Sequence, residues 1–463
     1  MYTYQDFIAE PSVEIAINTA INKHLKDDDY MVALDADLYD HQRNRTINDY
    51  VRIVYSMTGQ AVEDFTASNN KIASNFFHRL NTQRVSYLLG NGVSFSENDA
   101  VKDDLGNNID TVVKNLAYAA LIHGVSFGFW NVKGLHVFKL TEFVPLWDEE
   151  TGALKAGIRF WQIDKNKPMY AVLYEEDGFT KYRSKVSGGA YEEIQPKRAY
   201  QLTVRSTTAD GEEVIGEQNY GSLPIIPLWG SSLKQSTLVG MRGGIDSYDL
   251  IRSGFANDLT DCALIYWIIG NAGGMSDNDL AQFRDRLKLQ HVAVADTDNS
   301  SVTPYAQDIP YSSRQAYLSD IRAGVYEDFG GLDVHTIAAG ATNDHIDAAY
   351  QPVDEEADDF EFQLDEFFEH LFTLLGLDTG NIPVFKRNRI SNELEQTQMV
   401  LMAAEYLDDE TVIQKLPFIT VDEVADIMKK VMAEKENRYS DEQIEQQSGN
   451  LPFEPDENED VNG

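Results

Sequence analysis

At 463 residues the chain is too long for one compact core and should divide into two or more packed regions. Hydrophobic residues make up 43% and charged residues 25%, but 76 Asp and Glu against 38 Lys and Arg leave a net charge of -38. That sign works against a protein that wraps DNA by neutralising phosphates, although not against a conduit that has to avoid sticking to it.

Cys262 is the sole cysteine, so an intrachain disulfide is impossible and a cysteine-based zinc site would lack ligands. Residues 1–14 have neither the basic start nor the apolar core of a signal peptide. The longest apolar run, 263–269, is far too short to cross a bilayer. The expectation is a soluble chain that matures in a reducing compartment.

In chain order, a first helix is expected near 13–25, then a helix-rich stretch over 49–124. There Ile72, Phe76, Leu80, Val85, Leu88 and Leu89 fall on one helical face. Over 125–227 the pattern changes to short strand-like runs at 130–138, 157–163, 170–174 and 199–204, divided by Gly, Asp and Pro. Helices and strands together read as one α+β unit.

The second half is mainly helical. Met241, Ile245, Tyr248, Ile251, Phe255, Leu259, Cys262, Tyr266 and Ile269 recur at steps of three or four. This predicts a helix over 240–270, on the order of 45 Å long, with 263–269 buried at its end. A smaller insert follows: a helix opened by Ser276 with Asp277 and Asp279 in its first turn, a strand over 291–295, and a turn over 296–301. Another helix, 312–329, stops at Gly330 and Gly331.

A small-residue loop over 330–342 leads into a helix whose seam is Ile346, Tyr350, Val353, Ala357, Phe360, Leu364, Phe367, Leu371 and Leu374. Pro352 should kink that helix near its start. Two or three helices follow to about residue 435, and the polar, acidic stretch 436–463 reads as disordered.

No Lys or Arg occurs between Arg322 and Lys386, while the Pro352 helix carries Asp347, Asp354, Glu355, Glu356, Asp358, Asp359, Glu361, Asp365, Glu366 and Glu369. A solvated acidic face is the ordinary reading of such a run. Here nothing within the helix can pair with the acids, so partners or solvent must. Several copies around one axis would stack them into negative rings that hold phosphates at a distance.

No set of catalytic residues emerges. A phosphate-binding loop is missing, because Gly-Lys does not occur, and there is no Gly-x-Ser-x-Gly elbow. Gly90-Asn91-Gly92 reads as a helix C-cap. Asp35, Asp37, Asp40 and His41 lack the central glycine and distal glutamate of a calcium loop and read as a solvated turn. Asp296 and Asp298 fail the same test. His345 and His370 sit on the acidic helix, and Cys262 on an apolar stripe reads as core. Neither a metal nor a cofactor is expected.

Three groups of strings, in order, resemble the portal proteins of tailed bacteriophages, in the branch common among long-tailed phages of Gram-positive bacteria. The first is Asn69-Asn70-Lys71-Ile72 with Asn75-Phe76, leading to Val85-Ser86-Tyr87-Leu88-Leu89-Gly90-Asn91. The second is Leu223-Pro224-Ile225-Ile226-Pro227, then Ile245-Asp246-Ser247-Tyr248-Asp249 and Asn257-Asp258-Leu259. The third is Asn388-Arg389-Ile390 with Asn392-Glu393 and Gln396, then Glu410-Thr411, Leu416-Pro417 and Val421-Asp422-Glu423. The likeness covers roughly residues 45–435.

The resemblance implies a portal fold of class α+β. After an N-terminal segment (1–44) come an α+β wing (45–239), a first stem helix (240–270), a small α/β clip insert (271–311) and a second stem helix (312–329). A tunnel loop (330–343), a kinked tunnel helix returning to the wing (344–390), a helical crown (391–435) and an acidic tail (436–463) complete it. The tunnel loop would present Gly330, Gly331, Ile337, Ala338, Ala339, Gly340, Thr342 and Asn343. Relatives often carry Lys or Arg near the start of the tunnel helix, whereas 340–351 has none.

By the same resemblance, about twelve copies form a ring at one capsid vertex and pass double-stranded DNA without reading its sequence. Implied partners are the terminase large subunit, major capsid and scaffolding proteins, and a head-tail adaptor, with no membrane. The expected location is the virion, after assembly in the bacterial cytoplasm. Two other readings stand beside this one: an acidic metal-dependent DNA-processing enzyme, which would need a carboxylate constellation, and another head-tail adaptor or scaffold.

Overall fold

The computed structural model describes residues 2–433 apart from 56–57, 66–67, 97–100, 107, 186–188, 209–210, 263–265, 271–275, 277, 280–281, 283–300, 306–310, 338–341, 390–392, 405, 418, 420–423 and 425. Some others, among them 261–262, 266–270 and 301–305, are described by backbone alone. The chain forms two compact units, one of residues 1–333 with 352–388, the other of 334–351 with 389–463.

The first unit is layered helix, sheet, sheet, helix. A three-stranded antiparallel sheet is ordered Ile225–Trp229, Val125–Asn131, Gly134–Lys139. Along Val125–Asn131 the side chains alternate between faces, as a strand's period of two requires. Val125 and Phe127 join an aromatic layer with Phe138, Phe143, Trp147 and Tyr174. Trp130 turns the other way, toward the helices Ile109–His123 and Asn343–Leu375. Gly128 has to be glycine, because a Cβ there would sit 2.7 Å from the Phe367 ring.

Across the aromatic layer lies a five-stranded meander ordered Tyr191–Arg198, Gly178–Ser184, Met169–Glu175, Leu154–Trp161, Phe143–Trp147. Its far face packs on the helix Val13–His24, which Ser12 caps by accepting the Ile15 N–H. The N-terminal helices are thus part of this core. Burying two faces of each sheet supplies the apolar area that holds so acidic a chain folded.

The helices Leu238–Cys262 and Tyr311–Phe329 pair with each other and anchor on Phe76–Leu89 through Phe77, Leu80, Met241, Ile245, Tyr326 and Phe329. Here the expected helix over 240–270 is corrected. It ends at Cys262, and Tyr266–Gly270 is a strand paired antiparallel with Ser301–Tyr305. Tyr-Trp-Ile-Ile is aromatic and β-branched, and in so short an apolar run that chemistry overrides periodicity.

The stretch 49–124 also holds strands. Ile53–Tyr55 pairs with Ala61–Glu63, and Val93–Phe95 pairs with Pro383–Phe385. Helix Phe76–Leu89 therefore starts after Ile72. The run 130–138 is two strands of a hairpin rather than one. Of the insert's expected elements, Ser276 and Asp279 do cap each other, each accepting the other's backbone N–H. Residues 291–295 and Asp277, Asp296 and Asp298 lie outside the described residues, as does the tail 436–463.

The second unit holds the turn Val334–Thr336, the start of helix Asn343–Leu375, and the helices Glu393–Ala403 and Asp409–Lys415. Asp408 caps the last of these by accepting the Thr411 N–H.

Candidate functional site

The acidic helix runs unbroken from Asn343 to Leu375 and holds eleven carboxylates, two histidines and no Lys or Arg. Its apolar seam is buried as the heptad-like spacing requires: Phe360, Leu364, Phe367 and Leu371 are inaccessible to solvent. Pro352 lies inside it and has no N–H to offer the carbonyl of Ala348. Asn343, expected in the loop, is the first helical residue, and the Thr342 carbonyl accepts the N–H of Ile346.

Asp354, Asp358 and Glu361, at steps of four and three, share one face and meet one cation. Arg387 binds Asp354 at 2.9 Å and Glu361 at 3.0 Å, and also Asp358. Three contacts place it: Pro383–Phe385 pairs with Val93–Phe95, the Asn388 N–H donates to the Tyr87 carbonyl, and Asn91 Nδ2 donates to the Lys386 carbonyl. Tyr87 completes the cluster by donating its hydroxyl to Asp354. Burial opposes the charge on Arg387, but the hydrogen bonds to Asp358, Glu361 and Asp354 outweigh it and raise its pKa above the ordinary arginine value.

Arg84 is a second anchor. It is buried, stacks 4.1 Å over the Phe329 ring, donates to the Phe329 carbonyl and pairs with Glu356 at 3.0 Å. Burial lowers its pKa, with Glu356 and Asp359 opposing. Asp359 accepts the Ser232 N–H. In the second unit Asp347 pairs with Arg389, which also lies over the Tyr350 ring. Asp347, Asp354, Glu356, Asp358 and Asp359 therefore meet protein donors. The pattern could have revealed this, since Lys386, Arg387 and Arg389 are the first cations after a span with none.

Asp365 differs. Its Oδ1 is buried with no hydrogen-bond partner, and burial, then Glu361, pushes its pKa up to about 6.

Gly330 and Gly331 close the preceding helix. Gly330 adopts φ +65°, its N–H donates to the Glu327 carbonyl and that of Gly331 to the Tyr326 carbonyl, a Schellman cap. Gln83 then fastens Leu332, donating to its carbonyl and accepting its N–H. Ile337 is half-buried and Thr342 exposed, while Ala338, Ala339 and Gly340 lie outside the described residues.

The expected solvated turn at residues 35–41 is corrected. Asp35, Asp37 and Asp40 ride the helix Asp28–Asp40, and His41 is its C-cap. Each acid has its own partner: Asp35 takes Arg45 and Arg242, Asp37 takes His123, and Asp40 takes His78 and Tyr118. They do not converge. Among the described residues no group of three His, Cys, Asp or Glu side chains could hold a metal ion, and no helix is long and apolar enough to cross a membrane. Gly90 caps Phe76–Leu89 as read, and the Cys262 side chain lies outside the described residues.

Residues 31–442 match the family model for phage portal proteins of the SPP1 Gp6-like type. The portal protein of Clostridium phage phiCD119 is 24% identical over 412 residues, covering 81% of this chain and 86% of the relative. That of Bacillus phage SPP1 is 24% identical over 404 residues, covering 80% and 77%. Among solved structures, a chain from the neck of a native GTA particle computed with C12 symmetry aligns at a TM-score of 0.41. It is 12% identical and covers 75% of this chain and 90% of that one.

Proposed function

Because this chain belongs to the SPP1 Gp6-like family of phage portal proteins, we propose that about twelve copies close into a ring at one capsid vertex. Double-stranded DNA passes through its centre during packaging and ejection. The proposed partners are the terminase large subunit, the major capsid and scaffolding proteins, and a head-tail adaptor. In this reading the chain is a component of the virion, assembled in the host cytoplasm, and catalyses nothing.

The observation that carries the reading is the long acidic helix, which follows two paired helices flanking an insert. Arg84, Arg387 and Arg389 neutralise only part of it. The net negative surface suits a wall that DNA slides past, because a wall that neutralised phosphates would release counterions and bind. In this reading 330–342 is the tunnel loop, with Ile337, Ala338 and Ala339 touching the duplex sterically. The helix after Pro352 lines the channel, and the second unit's helices form the crown.

Negative-stain electron microscopy and mass photometry of the full chain test this directly. Rings of about twelve with a hole wide enough for a duplex are expected. A compact dimer that cleaves DNA with Mg²⁺ would overturn the reading in favour of a nuclease. The channel role is tested separately by Glu355→Lys with Asp359→Lys, which leaves the Arg387 cluster in place. Slower DNA packaging is expected, and an unchanged rate would remove the repulsive-wall mechanism.

A further inference from the structure

Among the described residues the hairpin Ile53–Tyr55/Ala61–Glu63 is a sheet of two strands, and all six strand residues are exposed. Its register puts Ile53 opposite Glu63 and Tyr55 opposite Ala61, so these four share one face, with Val54 and Val62 on the other. Tyr55 is 76% exposed, and Phe65, two residues past the end of the second strand, is 83% exposed. An isolated pair of strands is marginal in water, and a patch this apolar marks a contact surface.

The same protomer carries a second uncovered apolar surface. On helix Asp28–Asp40, Met31, Leu34 and Leu38 are exposed at steps of three and four, forming one stripe. They floor an open groove of about 660 Å³ whose rim includes Arg43. Among the described residues neither Arg43 at this rim nor Glu63 on the hairpin has an ion-pair partner. The other charged residues of the groove are tied together, Arg45 pairing with both Asp35 and Asp49. Each surface therefore sets an apolar stretch beside one charge without an ion pair, a cation on the groove and a carboxylate on the hairpin.

We propose that the hairpin of one subunit docks in this groove of the next copy, Ile53 and Tyr55 on the Met31–Leu34–Leu38 stripe and Glu63 against Arg43. The hairpin and the groove are different surfaces, so a contact between them joins copies head to tail when it repeats around an axis. Such a contact closes a ring, whereas a self-complementary patch would stop at a dimer. The inference rests on the ring reading above and supplies one of its contacts.

The test measures ring content of the full chain against protein concentration by mass photometry, with folding checked by thermal melting. Ile53→Ser with Tyr55→Ser should leave the melt of the dissociated subunit unchanged and shift the ring to subunit midpoint by about tenfold or more. Arg43→Glu or Glu63→Arg alone should weaken rings, and the two together should restore them. Wild-type rings that withstand the hairpin substitutions, or charge reversals that fail to rescue each other, overturn the contact while leaving the ring. A wild-type chain that forms no ring sinks the assembly reading and this contact with it.

Discussion

Ser253 Oγ accepts the backbone N–H of Ile72 at 3.0 Å, across a sequence separation of 181. One turn to either side the pattern repeats: Asp249 accepts the N–H of Ser74 at 2.9 Å, and Asn257 accepts that of Asn70 at 2.6 Å. Four helical residues rise about 6 Å, close to the roughly 6.6 Å between alternate residues of an extended chain. A polar face of helix Leu238–Cys262 therefore serves residues 70–74 as the edge of a sheet would, and Asp249, Ser253 and Asn257 are all buried. This ladder ties the first of the two paired helices to the sheet-bearing body.

Removing a rung should cost stability because it leaves an N–H that is wholly or partly buried without its acceptor. Ser253→Ala is expected to destabilise the subunit by about 1–2 kcal/mol. Asp249→Ala should cost more, about 2–4 kcal/mol, since it also strands the Asn44 amide that donates to it. Denaturant titration of the dissociated subunit measures both. A Ser253→Ala variant indistinguishable from wild type would mean that water replaces the hydroxyl and the ladder is incidental.

Arg387 should behave as one cation serving three carboxylates. Arg387→Ala is expected to lose about 2–4 kcal/mol, because Asp354, Asp358 and Glu361 would then repel one another at close range. Arg387→Lys should recover only part of this, as an ammonium cannot span the three as a planar fork does. Equal stability of the Lys variant and wild type would show that charge alone matters there.

The sequence strings that carried the family likeness turn out to be partners in space. Residues 69–76 meet 245–259 through the ladder, and the stretch 85–91 meets 386–388 through the Tyr87 and Asn91 contacts. Their legibility has a physical source: buried side chain to backbone bonds tolerate few residue types. The seam of helix Asn343–Leu375 was equally plain, because burial repeats every turn. What the sequence hid was pairing at a distance. The acids of that helix looked unpartnered because Arg387 and Arg84 come from other elements, and Asp35 looked solvated because Arg242 lies 207 residues away. Residues 266–270 misled for a different reason, since a short apolar run fits a helix and a strand alike.

Gly330 was singled out for a place beside DNA, yet its backbone supplies a structural reason for glycine. At φ +65° an L side chain is strained, and a Cβ would lie 2.7 Å from Glu356 Cγ. Gly330→Ala should therefore destabilise the subunit by about 1–2 kcal/mol in the absence of any DNA. A variant with wild-type stability that packages DNA poorly would instead place the residue's importance in the channel.

Asp365 should make the subunit less stable as pH rises from about 4 to about 6. In the unfolded chain its carboxyl ionises near the ordinary value of 3.8, whereas in the folded chain burial and Glu361 hold the proton up to about 6. Across that window the unfolded state gains charge first, so folding loses ground as pH rises, and the penalty is constant above it. Because the group is only partly buried, its size at neutral pH is about 1 kcal/mol. Asp365→Asn removes the ionisation, keeps the shape and leaves the neighbouring seam of Leu364 and Phe368 intact. Melted against wild type from acid to neutral pH, the variant should match it below about pH 4 and exceed it by about 2 °C at pH 7. Taking the difference cancels the titration of the other carboxylates. An advantage independent of pH would trace the effect to packing, and a loss at neutral pH would mean that the carboxylate has a partner when folded.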